Sequence, residues 1–403
     1  MMQAGLGSSC TRLAFILIAA TVALSAAAVD ARPLGGHAIA SRSNVRGSGY
    51  CKDRSAIFSD PHDSVGISDP YVQGGGHPPR GSTALQYRNC SFGQMAADHI
   101  GIFRAGLSWG IVDMYGFAAY DEMVAELARH HMTMVPILFD PPLRYTTRPP
   151  QGPYAQMYPP KRFTQFASFA ARVVRRYGRD GTFWRSNPRV PYYPVQAWQI
   201  WNEPNLKIYW GGAPNACAYS RMLRLTYAAI KKVSRSATVV MAGEPYATQY
   251  SVASSFYTAL YKCGARKAFD VLALHDYAPN PPEALLRLQI VRGIMNAFHD
   301  QSKPIWVTEV GWASSGPPPP YSPPYIAGLN GQRKYLLRFF GDVQRYRRSL
   351  GIGKVFWYGW RDVNWKVVGT PDFWGYHTSL LTYALQPKPA LSAFVAVARR
   401  LNG

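Results

Sequence analysis

Short apolar or β-branched runs alternate with segments of helical spacing from about Val65 to the end of the chain. This alternation is typical of a parallel sheet whose strands are joined by crossover helices. A chain of 403 residues, of which 47% are hydrophobic, can bury a full-sized core. The sequence therefore predicts an α/β fold, a (β/α)8 TIM barrel in a single domain. We predict its eight strands at Val65–Ser68, Ile102–Ser108, Thr133–Phe139, Val195–Trp201, Thr238–Ala242, Val271–His275, Ile305–Glu309 and Val355–Trp360.

Helical spacing fills the intervals between these strands. The predicted helices cover Ala84–His99, Phe117–His131, Phe163–Tyr177, Tyr219–Ser234, Val252–Tyr261, Pro282–His299, Gln332–Ser349 and Ala390–Leu401. Two proline-rich stretches, Asp140–Pro160 and Ser315–Pro324, follow the third and seventh strands. Barrels keep their active sites at the carboxyl ends of the strands, so these stretches either wall a cleft or are irregular surface loops.

The first residues have the pattern of an export signal, in which Arg12 precedes the apolar run Leu13–Val22 and small residues follow. An uncleaved anchor helix is less favoured, because small residues and a proline interrupt the run early. We predict cleavage after Ala28 or Ala31 and a secreted, extracellular protein, with cell-wall association as an option. The predicted parts are a signal peptide over residues 1–31, a leader or flap over 32–64 and the barrel over 65–403.

Five cysteines are present, and Cys10 lies in the predicted signal. Export leaves Cys51, Cys90, Cys217 and Cys263, which can pair in three ways. Closeness along the chain favours Cys51 with Cys90 and Cys217 with Cys263, and two disulfides fit an oxidising compartment. None of them has the spacing of a zinc site, so we predict no metal.

Basic residues outnumber acidic ones, with 44 Lys and Arg against 22 Asp and Glu. The exported form would carry a net charge of about +21 or +22. Such a surface attracts polyanions only through a long-range, salt-screened force. The basic residues are scattered singly and in pairs, without the stripe of a nucleic-acid module. We predict no nucleic-acid partner and no stable membrane partner, and a generally basic surface is favoured over selection for an acidic substrate.

The apolar segment Trp198–Trp201 ends abruptly in Asn202, Glu203 and Pro204. This ending places Glu203 at the rim of the predicted barrel. A carboxyl group that delivers a proton needs a raised pKa, which burial beside the tryptophans of this segment would supply. Asn202 can donate to a substrate hydroxyl. The alternative interpretation is a turn that only ends a strand.

A second apolar strand, Ile305–Glu309, also ends in a carboxylate. Glu203 ends strand four and Glu309 ends strand seven, so in a closed barrel both project over the same mouth. When two carboxylates lie about 5 to 5.5 Å apart, one of them can act as a nucleophile on the anomeric carbon of a glycoside. A lone carboxylate at a strand end is more often a surface charge, but two in matching positions favour catalysis.

These two segments resemble the large retaining clan of barrel glycoside hydrolases, clan A, which includes cellulase-like family 5 and xylosidase-like family 39. The resemblance covers the chain from about Val65 to Leu401. It implies a carbohydrate substrate, no cofactor, and hydrolysis of O-glycosidic, β-linked bonds in a polysaccharide or oligosaccharide by double displacement. In that mechanism Glu203 is the general acid/base and Glu309 is the nucleophile.

The resemblance extends to single positions in other strands. Arg104, on strand two, resembles the clan's arginine beside the nucleophile. His275 and Tyr277, after strand six, resemble its residues that orient the nucleophile and contact substrate, although a core histidine and a packed tyrosine are the alternative. Trp360, after strand eight, resembles the aromatic residue that floors the sugar subsite; alternation also places Tyr358 on its face.

Other interpretations of the same residues remain. Asp140 and Glu244, at strand ends, fit sugar contacts and solvated charges equally well. A barrel that binds glycans without cleaving them is disfavoured, because a decayed site usually loses one carboxylate. A transglycosylase would use the same residues, since it differs only in the acceptor that replaces water. Nothing in the sequence specifies an oligomeric state.

Overall fold

The computed structural model describes residues 63–73, 78, 82–149, 157–245, 251–318 and 324–402. The predicted signal peptide and all but the last two residues of the predicted leader lie outside them, as does Cys51. Signal cleavage, the domain boundary and the Cys51–Cys90 pair therefore stay predictions. The second predicted disulfide is confirmed, because Cys217 and Cys263 are bonded, with their Cα atoms 5.1 Å apart.

Among the described residues, nine parallel strand segments form one sheet. They are β1 Val65–Ser68, β2 Ile102–Ser108, β3 Thr133–Phe139, β4 Ala197–Ile200, β5a Thr238–Val240, β5b Glu244–Pro245, β6 Leu272–His275, β7 Ile305–Val310 and β8 Ile352–Tyr358. Their order is β5a-β4-β3-β2-β1-β8-β7-β6-β5b. A parallel bridge between Val240 and Val271 closes the ring. The predicted TIM barrel is confirmed, with its fifth strand split into two segments.

Helices connect the strands in the predicted order. The long helices of the described chain are α1 Ala84–Ala97, α2 Ala118–Arg129, α3 Phe163–Tyr177, α4 Ala216–Val233, α5 Ser251–Lys262, α6 Pro281–Ala297, α7 Gly328–Leu350 and α8 Pro389–Asn402. Short helices lie at Pro70–Gln73, Trp109–Tyr115, Thr182–Ser186, Lys207–Trp210 and Trp365–Val368. No helix in this part of the chain combines the length with the apolar character that a bilayer crossing requires.

The barrel interior begins as an apolar layer near the amino ends of the strands. It contains Ile102, Ala197, Ala273 and Phe356, together with residues of the neighbouring strands. Side chains two positions apart in a strand share a face, so each strand adds a second interior residue one layer higher. In β2, β4, β6 and β8 these second residues are Arg104, Gln199, His275 and Tyr358. A polar layer therefore lies directly above the apolar one, at the carboxyl end of the barrel.

Candidate active site

Arg104 is the centre of the polar layer and is almost fully buried, at 1% exposure. A buried guanidinium needs acceptors for its donors and an opposite charge. Its nitrogens contact Glu309 Oε1 at 2.7 Å, Ser68 Oγ at 2.7 Å, Gln199 Oε1 at 2.7 Å, Asn202 Oδ1 at 3.2 Å and His275 Nε2 at 3.2 Å. The arginine thus ties together side chains from β1, β2, β4, β6 and β7.

Glu309 receives a hydrogen bond on each carboxylate oxygen. Arg104 donates to Oε1, and the Tyr277 hydroxyl donates to Oε2 at 2.7 Å. Burial, followed by the neighbouring charge of Glu309, raises the pKa of Tyr277 well above its ordinary value, so this hydroxyl stays protonated and donating. One cation and one neutral donor therefore hold both oxygens of Glu309 in a fixed orientation, which suits a carboxylate that attacks an electrophilic carbon.

Glu203 has different surroundings and is 7% exposed. Burial raises its pKa well above the ordinary value, the charge of Glu309 adds to this effect, and Arg104 opposes it. A carboxyl group with a raised pKa keeps its proton near neutral pH and can serve as a general acid. The two carboxyl groups thus have different surroundings, because Glu309 accepts from a cation and a hydroxyl, whereas burial raises the pKa of Glu203.

His275 lies between the two carboxyl groups and is fully buried. Burial, assisted by the charge of Arg104, lowers the pKa of His275 well below its ordinary value, so the ring is neutral. Arg104 can only donate, so His275 Nε2 accepts its bond at 3.2 Å. The proton of the ring is then on Nδ1, which donates to Glu203 Oε1 at 2.6 Å.

Gly243 lies in the gap between the two segments of the fifth strand. A Cβ atom at position 243 would stand 2.2 Å from the His275 ring and 2.6 Å from Thr308 Oγ1. Only glycine allows the histidine ring to lie against this backbone. The carbonyl of Gly243 also accepts from the backbone N–H of Glu203 at 3.2 Å. The break in the strand thus lies against both His275 and Glu203.

The turn that carries Glu203 has an unusual backbone. Trp201 and Glu203 have φ values of 71° and 45°, in the region that non-glycine residues seldom adopt. Several bonds hold this turn: Trp201 N–H donates to the Leu138 carbonyl at 2.9 Å, and its indole N–H donates to the Tyr209 carbonyl at 2.7 Å. Strained backbone of this kind is concentrated at functional sites.

The two carboxyl groups are close together. An oxygen of Glu203, a nitrogen of His275 and an oxygen of Glu309 all lie within 4.8 Å of one another. An oxygen pair this close agrees with the about 5 to 5.5 Å between the carboxyl groups of retaining glycosidases better than with the about 6.5 to 9.5 Å of inverting ones. The same three groups resemble a metal-ligand set, but the Arg104 guanidinium contacts both Glu309 and His275 and supplies the positive charge there.

The structure places Asn202 beside Arg104, and its predicted contact with a substrate hydroxyl stays a prediction. It is 8% exposed, and its Oδ1 accepts from Arg104 at 3.2 Å. This bond fixes the orientation of the amide, so that the Nδ2 group is the part that remains to donate to a substrate.

Trp360 is not placed as predicted. Its ring is fully buried and belongs to the core between barrel and helices, so it presents no accessible face to the cleft. The reason is a turn at Gly359, with φ of 95°, which ends the alternation of β8 at Tyr358. Tyr358 contacts Tyr277 instead, with ring centroids 5.9 Å apart.

Trp374 is an aromatic residue of the site that the sequence did not reveal. It begins the short 3₁₀ turn Trp374–His377 and packs edge-on against Tyr277, with ring centroids 4.9 Å apart. Tyr325 packs against its other side at the same distance. Trp374 is partly exposed, and it stands beside the tyrosine that contacts Glu309. No local pattern marks it, because it lies in a turn far from any strand end.

The remaining acidic candidates have protein partners. Asp140 accepts from the Ser108 hydroxyl at 2.6 Å and remains partly exposed. Glu244 is fully buried and accepts from the backbone N–H of Asn205 at 3.2 Å, so it presents no surface to a sugar. The tryptophan expected to help bury Glu203, Trp198, points to the outer side of β4, into the core between barrel and helices.

Solved structures of similar fold include several named as glycosidases. A monomeric β-xylosidase from Caulobacter crescentus CB15 is 18% identical, with a TM-score of 0.59 over 84% of this chain and 69% of that one. A GH5_18 protein from Bifidobacterium longum subsp. infantis is 13% identical, with a TM-score of 0.58 over 84% and 79%. Xylanase 10B from Thermotoga maritima is 14% identical, with a TM-score of 0.53 over 84% and 95%.

Searches by sequence add no relative. No protein-family profile matches the chain, and no curated protein is similar to it at a significant level. The structural likeness, at these low identities, shows a shared fold. The chain therefore has the barrel that clan A glycosidases also have, as the sequence resemblance predicted.

Proposed function

We propose that this protein is a retaining glycoside hydrolase that cleaves β-linked bonds of a neutral glycan by double displacement. The observation that carries the proposal is the pair Glu203 and Glu309: one oxygen of each lies within 4.8 Å of the other, burial raises the pKa of Glu203, and Arg104 contacts Glu309. The names of the structures with similar fold, which include a xylosidase and a xylanase, support a β-linked carbohydrate as the substrate class.

In the first step a Glu309 oxygen attacks the anomeric carbon, and Glu203 gives its proton to the departing glycosidic oxygen. His275 Nδ1 donates to Glu203 Oε1, so Oε2 is the oxygen of Glu203 that carries the proton. As the proton leaves, the same N–H donates to the new carboxylate and stabilises its charge. In the second step Glu203 takes a proton from water, which attacks the anomeric carbon and releases Glu309.

Aromatic side chains beside the nucleophile support a neutral sugar. Tyr277, Tyr358 and Trp374 are packed together there, and aromatic rings provide apolar surfaces for the C–H faces of sugars. The single positive charge of Arg104 is offset by Glu309. The centre of the site thus offers no surplus positive charge for an acidic substrate.

Kinetics on a panel of aryl β-glycosides test the proposal. Wild type should hydrolyse at least one member of the panel. Glu309→Gln should hydrolyse that substrate several orders of magnitude more slowly. The rate of Glu203→Gln should fall far less on substrates whose aryl leaving group needs no proton. Added azide should restore the turnover of these substrates, with the β-glycosyl azide as the product. An inert wild type that still binds the sugars would instead favour a non-catalytic barrel. Products longer than the substrate would favour transglycosylation.

We also propose that the protein is exported. The signal-like pattern of residues 1–31 and the Cys217–Cys263 disulfide support this proposal, because structural disulfides persist mainly in oxidising compartments. Expression of the full chain followed by N-terminal sequencing of secreted protein tests it. A mature N-terminus following Ala28 or Ala31 is expected, and retention of the full chain inside cells would contradict it.

A further inference from the structure

A second cavity opens far from the paired carboxylates. It has a volume of about 610 Å³ and lies between the C-terminal end of α3, the segment that leads into β4 and the turn that precedes β5a. These are the amino ends of the strands, whereas Glu203 follows the carboxyl end of β4. The cavity therefore belongs to the opposite face of the barrel, and its size is within the range of ligand sites.

The lining combines aromatic rings with charged and neutral polar groups. Tyr192, which is 54% exposed, and Tyr193 supply the rings. Backbone and side-chain bonds hold these rings: Asp180 N–H donates to the Tyr192 hydroxyl at 3.3 Å, and the Tyr193 hydroxyl contacts His131 Nδ1 at 2.5 Å. The cavity thus has an exposed aromatic surface whose orientation is fixed before any ligand arrives.

The charges of the lining are balanced. Arg179 and Asp180 contribute one of each sign, and Gln196 and Ser236 add neutral hydrogen-bonding groups. This balance contrasts with the whole chain, in which basic residues are twice as numerous as acidic ones. A polyanion would find no surplus positive charge in the cavity, so its lining fits an uncharged ligand with many hydroxyl groups.

A buried donor in the wall is unsatisfied. Trp198 lines the cavity and is fully buried, and its indole N–H has no hydrogen-bond partner among the residues that the structure describes. An unpaired buried donor costs about 1–3 kcal/mol. A Cβ atom at Gly178, also in the lining, would stand 3.7 Å from the indole Cζ2, next to the N–H edge. Gly178 thus places no side chain over this part of the wall, which the buried Trp198 ring supports from behind.

We propose that this cavity is a second carbohydrate-binding site, which holds a segment of a neutral oligosaccharide away from the catalytic cleft. Aromatic rings contact the C–H faces of sugars, and donors and acceptors of neutral side chains bind their hydroxyls. The proposal that the ligand is a sugar depends only on the residues that line the cavity. That this sugar belongs to the glycan cleaved in the cleft rests on the proposed function.

The test counts binding sites in a protein that cannot turn its ligand over. Glu309→Gln protein is titrated calorimetrically with β-linked hexaoses of glucose, xylose, mannose and galactose. Ser236→Tyr adds a bulky side chain at an exposed position of the lining, and Ser392→Tyr, on the exposed surface of α8, is the matched control. Two sites are expected in Glu309→Gln and in its combination with Ser392→Tyr. In the combination with Ser236→Tyr, the second site should weaken at least tenfold.

Activity separates this proposal from that of the catalytic site. Ser236→Tyr in the otherwise wild-type chain should leave kcat/KM on an aryl glycoside within twofold and lower the rate on the polymer several-fold. Tyr192→Ala should reproduce both effects without filling the cavity. A single binding site that neither variant affects, or no binding of any hexaose outside the cleft, would overturn the second site even if hydrolysis is confirmed. Two sites in a protein that hydrolyses nothing would retain the cavity and refute the proposed function.

Discussion

Replacement of Arg104 by methionine removes the cation of the site and retains most of the buried volume. Arg104 and Glu309 are 1% and 11% exposed in their side chains, so solvent screens their contact little. Breaking a buried ion pair costs about 3–5 kcal/mol of folding stability, because the remaining charge is left without a partner. Loss of one charge-assisted bond to the nucleophile, worth about 1.5–3 kcal/mol, lowers kcat/KM by about 10- to 150-fold.

A double-mutant cycle with Glu309→Gln isolates the pair. In that background the carboxylate is already absent. Arg104→Met should therefore lower the free energy of unfolding, measured in urea, by at least about 2 kcal/mol less than it does in wild type. Arg88→Met is the matched control, because Arg88 is a buried arginine paired with Glu126 in the helix layer. It should destabilise the protein without coupling to Glu309→Gln and should leave kcat/KM unchanged.

The outcome that would refute this reasoning is equal destabilisation by Arg104→Met in both backgrounds, within about 0.5 kcal/mol, the usual limit of additivity for independent sites. Arg104 would then stabilise the barrel through its contacts other than Glu309, and its role toward Glu309 would be refuted.

Three further predictions concern other parts of the protein. Trp374→Ala should raise KM for oligosaccharides about five- to tenfold, from the loss of about 1–1.5 kcal/mol of aromatic contact, with kcat within twofold; an unchanged KM would place this ring outside the substrate path. Burial raises the pKa of Asp276 to about 8, so stability present in acid should be lost as pH rises from about 4 through 8. Asp276→Asn should then unfold at higher urea than wild type at pH 8 but not at pH 4, and parallel pH profiles would contradict this. Combined Cys217→Ser and Cys263→Ser should lower the unfolding free energy by about 2–4 kcal/mol; an unchanged urea midpoint would show that this disulfide adds no stability.

The parts of the site that lie on regular strands could be predicted from the sequence. Glu203, Glu309 and Arg104 follow or belong to apolar runs whose spacing fixes the end and the face of the barrel on which they lie. Alternation within a strand determines which side chains point inward, and the closed ring then brings them together. The contacts of Arg104 with Glu309 and Asn202 are the result.

The prediction failed where the backbone leaves the regular strand. Trp360 was assigned to the cleft by continuing the alternation of β8 through Gly359, whose positive φ takes the backbone out of the strand conformation. Trp198 is close to Glu203 in sequence but lies on the outer face of β4. Trp374 enters the site from a turn whose position depends on tertiary packing against Tyr277 and Tyr325. Sequence spacing contains no signal for such packing.

Trapping of the covalent intermediate tests the central claim most directly. The protein is incubated with 2-deoxy-2-fluoro-β-glycosyl fluorides of the sugars that the aryl-glycoside panel identifies, and peptides are mapped by mass spectrometry. The account predicts one adduct per chain on the peptide that contains Glu309, absent in Glu309→Gln and still formed in Glu203→Gln. An adduct on another residue, or hydrolysis with inversion at the anomeric carbon and no adduct, would contradict the assignment of Glu309 as the nucleophile.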